Sequence, residues 1–294
     1  MTNRTQTPYS KEITNTSQIE IKNLTFSFIP GQVILKNLSL SIQKGESVVV
    51  MGANGSGKST LLLCILNLLA RFEGQILVEN MEVNSKNQRY IRRKVGIMFQ
   101  NPNDQLFLPT VHQELEFGLV NLGYNEKQVK NRIEETITEL KLENLMEKKT
   151  FHLSYGEKKK IAFASIYAMD PDIFLLDEPF ANLDPKSKSD LISILHQLNK
   201  RNKTIICISH EIDHIPLFFS KTIVLNQGET LFEGSRRDLY AQPQILQQAN
   251  LEIPIVSKLY YQLVENLKLT PQEKVPLKEE ELIAFIANNV KKVQ

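Results

Sequence analysis

An eight-residue segment carries the residue types that hold a phosphate chain. Residues 52–59 read GANGSGKS and satisfy the pattern G-x-x-x-x-G-K-[ST], between an apolar strand predicted at residues 47–51 and an apolar helix predicted at residues 60–70. Glycines let backbone N–H groups turn toward a phosphate, and the helix N-terminus adds a positive dipole. Lys58 supplies a point charge and Ser59 a hydroxyl for Mg²⁺. The alternative, a glycine-rich turn that binds nothing, leaves these two side chains unexplained. The residues assigned to phosphate binding are Gly52, Asn54, Gly55, Ser56, Gly57, Lys58, Ser59 and Thr60.

Two carboxylates follow a second apolar strand. Residues 173–178 read IFLLDE, so Asp177 and Glu178 come just past the carboxyl end of the strand, the edge of a parallel sheet at which ligands bind. In enzymes with the same phosphate loop, the first such Asp holds Mg²⁺. Glu178 is then placed to orient or deprotonate an attacking water. An ordinary solvated strand end is the alternative, and the neighbouring phosphate loop disfavours it.

The apolar pattern predicts the elements that would position these groups. Continuous apolar strands, typical of a parallel sheet buried on both faces, are predicted at residues 47–51, 95–99, 173–176, 204–208 and 222–225. Helical patterns lie between most of them, which indicates an α/β fold built from βαβ units. Alternating apolar residues at 19–28 and 38–42 predict an antiparallel β flank.

The rest of the chain is predicted to be helical or unstructured. Helical patterns predict an inserted helical subdomain at about residues 101–168, with helices at 110–119, 126–140 and 156–168. After Leu239 a helical C-terminal tail is predicted over residues 240–294, with helices at 255–267 and 279–290. Residues 1–18 lack an apolar core that could serve as a secretory signal, and their polar content predicts a disordered leader.

Composition excludes several classes of protein. The chain has 294 residues, 41% of them hydrophobic and 23% charged, which excludes collagen-like and fully disordered chains. A net charge of +2 is too small for the basic field that nucleic-acid binding shows, so we expect no nucleic-acid partner. Cys64 and Cys207 lie in apolar runs, which indicates packing residues in a reducing compartment. The longest apolar run, residues 61–70, is shorter than a membrane span.

A third motif identifies a resemblance. Residues 153–157 read LSYGE and precede a helical run. Together with residues 52–59 and 173–178, in this order, they resemble the ATP-binding subunits of ABC transporters, whose signature reads LSGGQ. The resemblance covers residues 19–239 and implies a P-loop NTPase fold with a mixed sheet. It also implies ATP and Mg²⁺ as cofactors, and ATP hydrolysis coupled to transport.

Further positions match this family one by one. Phe28 resembles the aromatic residue that stacks on adenine, and Gln100 resembles the glutamine of the Q-loop, which senses Mg²⁺ and the membrane partner. Residues 181–184, ANLD, resemble the D-loop, and His210 resembles the switch histidine that contacts the γ-phosphate. The resemblance therefore implies catalytic roles for Glu178, His210 and Gln100, Mg²⁺ contacts for Ser59, Gln100 and Asp177, and nucleotide contacts for Phe28, Ser154, Gly156 and Asp184.

Each of these residues also has a plainer interpretation. Phe28 would by default be a core residue, Gln100 a polar strand end, and residues 182–184 a turn before Pro185 at a helix start. Residues 210–214 read HEIDH and match H-E-x-x-H, a zinc-protease pattern, but they directly follow a strand within the ABC frame, which disfavours zinc. The three lysines at 158–160 are expected to form a solvated helix face.

The segment around Gln100 resembles a particular group of ABC proteins. Residues 99–107, FQNPNDQLF, with PTV at 109–111 and EFG at 116–118, resemble the energy-coupling-factor (ECF) group, which includes cobalt and nickel importers. This resemblance implies a second ATPase subunit, either a copy or a paralogue, a transmembrane coupling subunit and a substrate-binding membrane subunit. It implies a peripheral place on the cytoplasmic side of the cell membrane and uptake of a vitamin or a metal ion.

Two other functions stay open at this point. One is a soluble ABC ATPase that acts as a nucleotide-dependent switch, although such proteins usually carry tandem ATPase units or long coiled coils. The other is a P-loop kinase, which leaves residues 153–157 unexplained. Tyr155 replaces the usual glycine of the signature. Its side chain is expected either to point away from the nucleotide, with both sites of a homodimer working, or to block the pocket partly, with a paralogue supplying an intact signature.

Overall fold

A computed structural model describes residues 17–69, 71–210, 215–272 and 274–290. Within these residues the strands are β1 (Ser17–Ser27), β2 (Val33–Gln43), β3 (Ser47–Met51), β4 (Glu73–Val78), β5 (Met81–Glu82), β6 (Val95–Met98), β7 (Ile173–Asp177), β8 (Thr204–Ile208), β9 (Lys221–Asn226) and β10 (Glu229–Gly234). The α-helices are α1 (Lys58–Ile65), α2 (Gln88–Lys94), α3 (Val111–Asn121), α4 (Glu126–Leu140), α5 (Tyr155–Ala168), α6 (Pro185–Lys200), α7 (Arg236–Tyr240), α8 (Pro243–Gln248), α9 (Ile255–Asn266) and α10 (Glu279–Val290).

A six-stranded sheet in the order β10-β9-β3-β8-β7-β6 forms the centre of the molecule. The strands from β9 to β6 run parallel, and β10 pairs antiparallel with β9. Both faces of the sheet are buried: Val49 and Met51 of β3 belong to one core cluster, Val48 and Val50 to another. The predicted parallel sheet is therefore confirmed, and it gains an antiparallel edge strand that the apolar pattern did not indicate.

An antiparallel sheet in the order β2-β1-β4-β5, together with α1, covers one face of the central sheet. Side chains of β1 and α1, among them Ile19, Ile21 and Leu61, share a core cluster with Val50 of β3. This confirms the predicted antiparallel flank. The flank has two more strands than predicted, β4 and β5.

Helices α5 and α6 and the C-terminal tail cover the opposite face. Phe163 of α5 and Leu195 of α6 share one core cluster with Tyr260 of α9 and Phe285 of α10. Polar contacts fasten the tail as well: Arg237 donates to the carboxylate of Glu281 at 3.0 Å and to a main-chain carbonyl at 2.6 Å. The helical tail is thus packed into the same core as the sheet.

Helices α3, α4 and α5 form a helical subdomain between β6 and β7 with a core cluster of its own. Val111 and Leu115 of α3 and Ile133 of α4 lie fully or almost fully buried there. Helix α4 begins with a capping box in which the Asn125 side chain accepts from the Gln128 amide and the Gln128 side chain accepts from the Asn125 amide. The inserted helical subdomain is confirmed.

The leader predicted over residues 1–18 extends two residues too far, because β1 begins at Ser17. Residues 1–16 of the predicted leader lie outside the described residues, but Ser17 and Gln18 belong to β1. The Gln18 side chain is buried, donates to Glu79 at 3.2 Å and hydrogen-bonds the Thr204 hydroxyl, so β1 extends beyond the apolar alternation that marked its start. In the part of the chain that the structure describes, no helix has the length and apolar character needed to cross a bilayer.

Candidate phosphate-binding site

The loop between β3 and α1 has a backbone shape that requires glycine. Gly52 has φ +146° and Gly57 has φ +101°, both in the region that disfavours other residues. A Cβ on Gly52 would lie 2.2 Å from the Leu225 carbonyl oxygen, and one on Gly57 would lie 2.6 Å from a methyl group of Leu35. The two glycines therefore let the loop pass close to β9 and β2 before it turns into α1.

Lys58 is the first residue of α1 and is buried. Its Nζ donates to the carbonyl oxygens of Gly52 at 2.8 Å and Ala53 at 2.9 Å. Burial lowers the pKa of the Lys58 ammonium, and the negative charges of Glu178 and Asp177 oppose that shift. An ammonium has three protons to donate, so one remains for an anion in the loop.

Asp177 ends β7 beside this loop. Burial raises the pKa of the Asp177 carboxyl, and a hydrogen bond from Ser59 together with the charges of Lys58 and Lys159 opposes the rise. A hydroxyl and a carboxylate are the oxygen ligands that Mg²⁺ accepts alongside phosphate oxygens and water. The Ser59–Asp177 pair therefore fits a magnesium ion that arrives with a nucleotide.

Glu178 follows with a left-handed backbone, φ +49°, which is uncommon for a residue with a Cβ. Its main-chain N–H donates to the Ile208 carbonyl at the end of β8 at 3.1 Å. Its carboxylate Oε1 lies 2.6 Å from Nδ1 of His210, which follows β8 by two residues. Glu178 and His210 therefore lie side by side because β7 and β8 are neighbouring parallel strands that end at the same edge of the sheet.

These groups surround one cavity of about 230 Å³. It is lined by Asn54, Gly55, Gly57, Lys58, Ser59, Gln100, Asp177, Glu178 and Ile208. Gln100 lies just past β6, so the loop between β3 and α1 and the ends of β6, β7 and β8 meet there. Gly52, Ser56 and Thr60 belong to the same loop and helix start, and the buried Ser56 hydroxyl has no hydrogen-bond partner among the described residues.

Phe28 lies in the turn after β1 and is 60% exposed. Its ring meets the buried ring of Phe26 edge to face, with centroids 4.9 Å apart. The plainer interpretation of Phe28 as a core residue does not hold, because only Phe26 of the pair is buried. The exposed face of Phe28 is free to stack on a planar ring.

The signature residues lie at the start of α5 and are not among the residues that line the cavity. Ser154 is the N-cap: its hydroxyl accepts from the Glu157 amide, and the Glu157 carboxylate accepts from the Ser154 amide at 2.8 Å. The hydroxyl proton and the main-chain N–H groups of Tyr155 and Gly156 have no acceptor within the helix. Free donors at the N-terminus of a helix such as α5, which has 14 residues, are suited to an anion.

Tyr155 turns back onto its own chain. Its hydroxyl donates to the carbonyl oxygen of Gln100 at 3.3 Å, and the Lys159 ammonium lies 5.8 Å from its ring centre. The ring is 38% exposed. Gly156 has open space around it, since an added Cβ would meet only a Leu183 methyl group at 4.0 Å.

Asp184 is the N-cap of α6, directly before Pro185. One carboxylate oxygen accepts from the Ser187 amide at 3.0 Å and the other from the Ser187 hydroxyl at 2.5 Å. These two hydrogen bonds lower the pKa of the Asp184 carboxyl. The plainer interpretation, a turn before a helix start, therefore describes the contacts that Asp184 makes within its own chain.

One of the three lysines at residues 158–160 is buried. The solvated face predicted for 158–160 is wrong for Lys159, which is 2% exposed and donates to two main-chain carbonyls, those of Glu178 and Ala181. Helical spacing could have revealed this, because Lys159 lies four residues before the buried Phe163 and seven before the buried Ile166. Of the HEIDH pattern, residues 211–214 lie outside the described residues.

Known proteins resemble this chain in sequence and in fold. Residues 35–181 match the family described as "ABC transporter". The energy-coupling factor transporter ATP-binding protein EcfA of Methanococcus maripaludis is 35% identical over 275 residues, which cover 93% of this chain and 97% of that protein. The structure of cbiO1 from Clostridium perfringens, described as part of the ABC transporter complex cbiONQ, matches with a TM-score of 0.71 and 31% identity over 84% of this chain and 99% of that one. The ATP-binding cassette MJ0796, solved as a dimer in a post-hydrolysis state with ADP and Pi, matches with a TM-score of 0.68 and 30% identity over 74% of this chain and 99% of that one.

The raised pKa of Asp177 predicts a measurable effect on stability. A carboxyl whose pKa is raised on folding destabilises the folded chain increasingly as the pH rises. The effect begins near the pKa of the carboxyl in the unfolded chain, about 3.9, and is complete above its pKa in the folded chain. Asp177→Asn removes this penalty and keeps an acceptor for Ser59. We expect a higher unfolding temperature than the parent chain above that pH window, without nucleotide, and no gain below pH 3.9.

The matched control for this measurement is Asp190→Asn, at an exposed position on α6. It should leave the unfolding temperature unchanged across the same pH range. A lower unfolding temperature for Asp177→Asn at pH 8 would mean that the ionised carboxylate is stabilised by its neighbours despite its burial.

Proposed function

The chain belongs to the ABC transporter family of ATP-binding proteins, and we propose that it is the ATP-hydrolysing subunit of an importer of the energy-coupling-factor type. The observation that carries this proposal is the single cavity that joins Lys58, Ser59, Gln100, Asp177 and Glu178. Each group suits one part of a magnesium-bound triphosphate. The names of the similar proteins, an energy-coupling factor transporter ATPase and a component of cbiONQ, support the transport role.

The loop between β3 and α1 would bind the phosphates of ATP. Its N–H groups and the α1 dipole favour anions, and the third proton of the Lys58 ammonium would be donated to a β- or γ-phosphate oxygen. Ser59 and Asp177 would hold Mg²⁺ together with the nucleotide, and Gln100 would contact it from the end of β6. The ion supplies charge neutralisation on the phosphate oxygens. It also offsets the cost of keeping the Asp177 carboxylate buried.

Glu178 is proposed as the general base and His210 as its partner. An ionised carboxylate accepts only, so the 2.6 Å contact places a proton on Nδ1 of His210. In the neutral ring Nε2 is then an acceptor, and contact with a phosphate oxygen through Nε2 requires a protonated ring or a ring that has turned. If the ring turns toward the γ-phosphate, His210 would release Glu178, which frees the carboxylate for water.

Adenine is proposed to stack on Phe28, and a second subunit is proposed to complete the site. The N–H groups at the start of α5 lie outside the cavity of their own chain, so they suit the γ-phosphate held by a partner. ATP would then bridge two subunits through Ser154 and Gly156. Tyr155 is directed to the Gln100 carbonyl of its own chain, which leaves this anion site open. This supports the interpretation in which both sites of a homodimer work.

We assign residues 17–239 to the ATPase domain, since Ser17 and Gln18 belong to β1, and residues 240–294 to the tail. The subunit would lie on the cytoplasmic side of the cell membrane, against a transmembrane coupling subunit, while a separate membrane subunit selects the substrate, a vitamin or a metal ion such as cobalt or nickel. In this assignment, the chain would bind and hydrolyse ATP and thereby move the membrane subunits.

Removal of the aromatic ring should weaken nucleotide binding. Stacking of a base on an aromatic ring contributes roughly 1–3 kcal/mol, so Phe28→Ala should raise the Kd for ATP about 5- to 150-fold. The rate at saturating ATP should change little, because a ring that stacks on adenine would not contact the phosphates. The neighbouring Ile29 is similarly exposed, and Ile29→Ala is the control that should leave the Kd within about twofold. An unchanged Kd for Phe28→Ala would exclude stacking.

Loss of the carboxylate at Glu178 should separate binding from turnover. Glu178→Gln keeps the shape and removes the base, which lowers the rate about 10²- to 10⁴-fold. ATP affinity should be retained, and dimers with trapped ATP should accumulate in size-exclusion chromatography. Steady-state hydrolysis at the parent rate would remove Glu178 from the catalytic role.

Purification from membranes tests the transport function. We expect the full chain, solubilised mildly with its membranes, to carry a second ATPase subunit and a multispanning protein identified by mass spectrometry. ATP hydrolysis by this complex should depend on the intact membrane partner. Recovery with ribosomal proteins, or without a membrane protein, would instead favour the nucleotide-dependent switch.

A further inference from the structure

The buried lysine of α5 makes contacts that the function proposed above does not use. Lys159 sits in the second turn of the signature helix, between Lys158, which is half-buried, and Lys160, which is exposed. Its side chain is 2% exposed, although lysine is seldom buried. An ammonium is costly to bury unless strong acceptors surround it, so the acceptors of Lys159 hold it at this position.

The ammonium bonds to both ends of one short turn. Nζ donates to the Glu178 carbonyl at 2.6 Å and to the Ala181 carbonyl at 2.7 Å. The same Glu178 carbonyl also accepts from the Ala181 amide at 3.3 Å. Lys159 therefore closes the segment from the general base to the first residue of the D-loop, and the bonds are charge-assisted and short.

That turn contains a strained residue. Glu178 has φ +49°, a conformation that is unfavourable for a residue with a Cβ and persists only where the surroundings hold it. Both polar groups of its main chain are held: the N–H by the Ile208 carbonyl of β8, and the C=O by Lys159. The backbone direction at Glu178 sets where its carboxylate points, and that carboxylate lies 2.6 Å from His210.

We propose that Lys159 is a positioning residue for Glu178, which ties the signature helix to the turn that aims the catalytic carboxylate of the same chain. The proposal rests on the function proposed above, since it takes Glu178 as the base. Lys159 is five residues from Ser154, within one rigid helix whose N-terminus would contact the partner's nucleotide. A shift of that helix on engaging the partner's phosphate reaches the Glu178 peptide directly through the ammonium.

The test is a double-mutant cycle in the purified complex, with kcat and KM for ATP measured for each variant. Lys159→Met has a similar length and no donor, Glu178→Gln removes the base, and Lys160→Met is the matched control on the same helix. We expect Lys159→Met to lower kcat tenfold or more with KM within about twofold of the parent. Lys160→Met should leave both constants within about twofold.

The double variant distinguishes positioning from general damage. If Lys159 acts through Glu178, then Lys159→Met combined with Glu178→Gln hydrolyses ATP within about twofold of Glu178→Gln alone. A further tenfold loss in the double variant would show that Lys159 acts independently of Glu178 and would overturn the proposal. A kcat for Lys159→Met within twofold of the parent, or a change confined to KM, would also overturn it.

A second substitution at Lys159 and the result for Glu178→Gln alone separate the role of Lys159 from that of Glu178. If Lys159→Met does not fold, Lys159→Gln replaces it under the same criteria, since its shorter amide cannot span both carbonyls. Hydrolysis by Glu178→Gln at the parent rate would overturn the proposed role of Glu178 itself. Loss of activity in Glu178→Gln with parent activity in Lys159→Met would overturn only the role of Lys159.

Discussion

Burial of charge at the carboxyl edge of the central sheet is the constraint on which the rest of the structure depends. Lys58, Asp177 and Glu178 lie at one cavity, and burial shifts the pKa of Lys58 down and that of Asp177 up. Each group alone would be costly there, and their opposite charges offset part of that cost. The glycines of the loop after β3 and the ends of β7 and β8 hold these groups together, so that each buried charge lies near an opposite one.

Helix starts show how the fold reconciles stability with anion binding. A capping side chain takes the N3 amide of a helix, and the N–H groups before it stay available. At α5 the Ser154 hydroxyl accepts from Glu157 and keeps its own proton, so the cap and a phosphate contact can coexist. At α6 both carboxylate oxygens of Asp184 are engaged by Ser187, so that residue fixes the direction in which the D-loop enters the helix.

Strong local patterns were sufficient to predict much of this molecule. The bounds of α4 and α10 follow from amphipathic spacing, and β3 and β8 from continuous apolar runs between two covered faces. Strand β10 was missed because it is a partly buried edge strand whose antiparallel partner alone makes it extended. Gln18 and Lys159 were misjudged because each is a polar residue whose burial depends on partners far away in sequence, Glu79 and the Glu178 turn. The spacing of residues 54–59 is set by the loop itself, whereas Gln100, Asp177 and Glu178 come together because neighbouring parallel strands end at the same edge of the sheet.

The signature helix is more than an anion site for a partner. Three side chains from its first two turns bind its own chain: Tyr155 the Gln100 carbonyl, Lys158 the Asn103 side chain at 2.7 Å, and Lys159 the Glu178 and Ala181 carbonyls. The first two contacts reach the segment after β6, and the third reaches the segment after β7. Because α5 packs into two core clusters along its length, a displacement at its N-terminus would be passed along the helix. In the proposed dimer, a phosphate bound at that N-terminus would therefore act on both segments that border the nucleotide of the same chain, which would link the two sites of the pair.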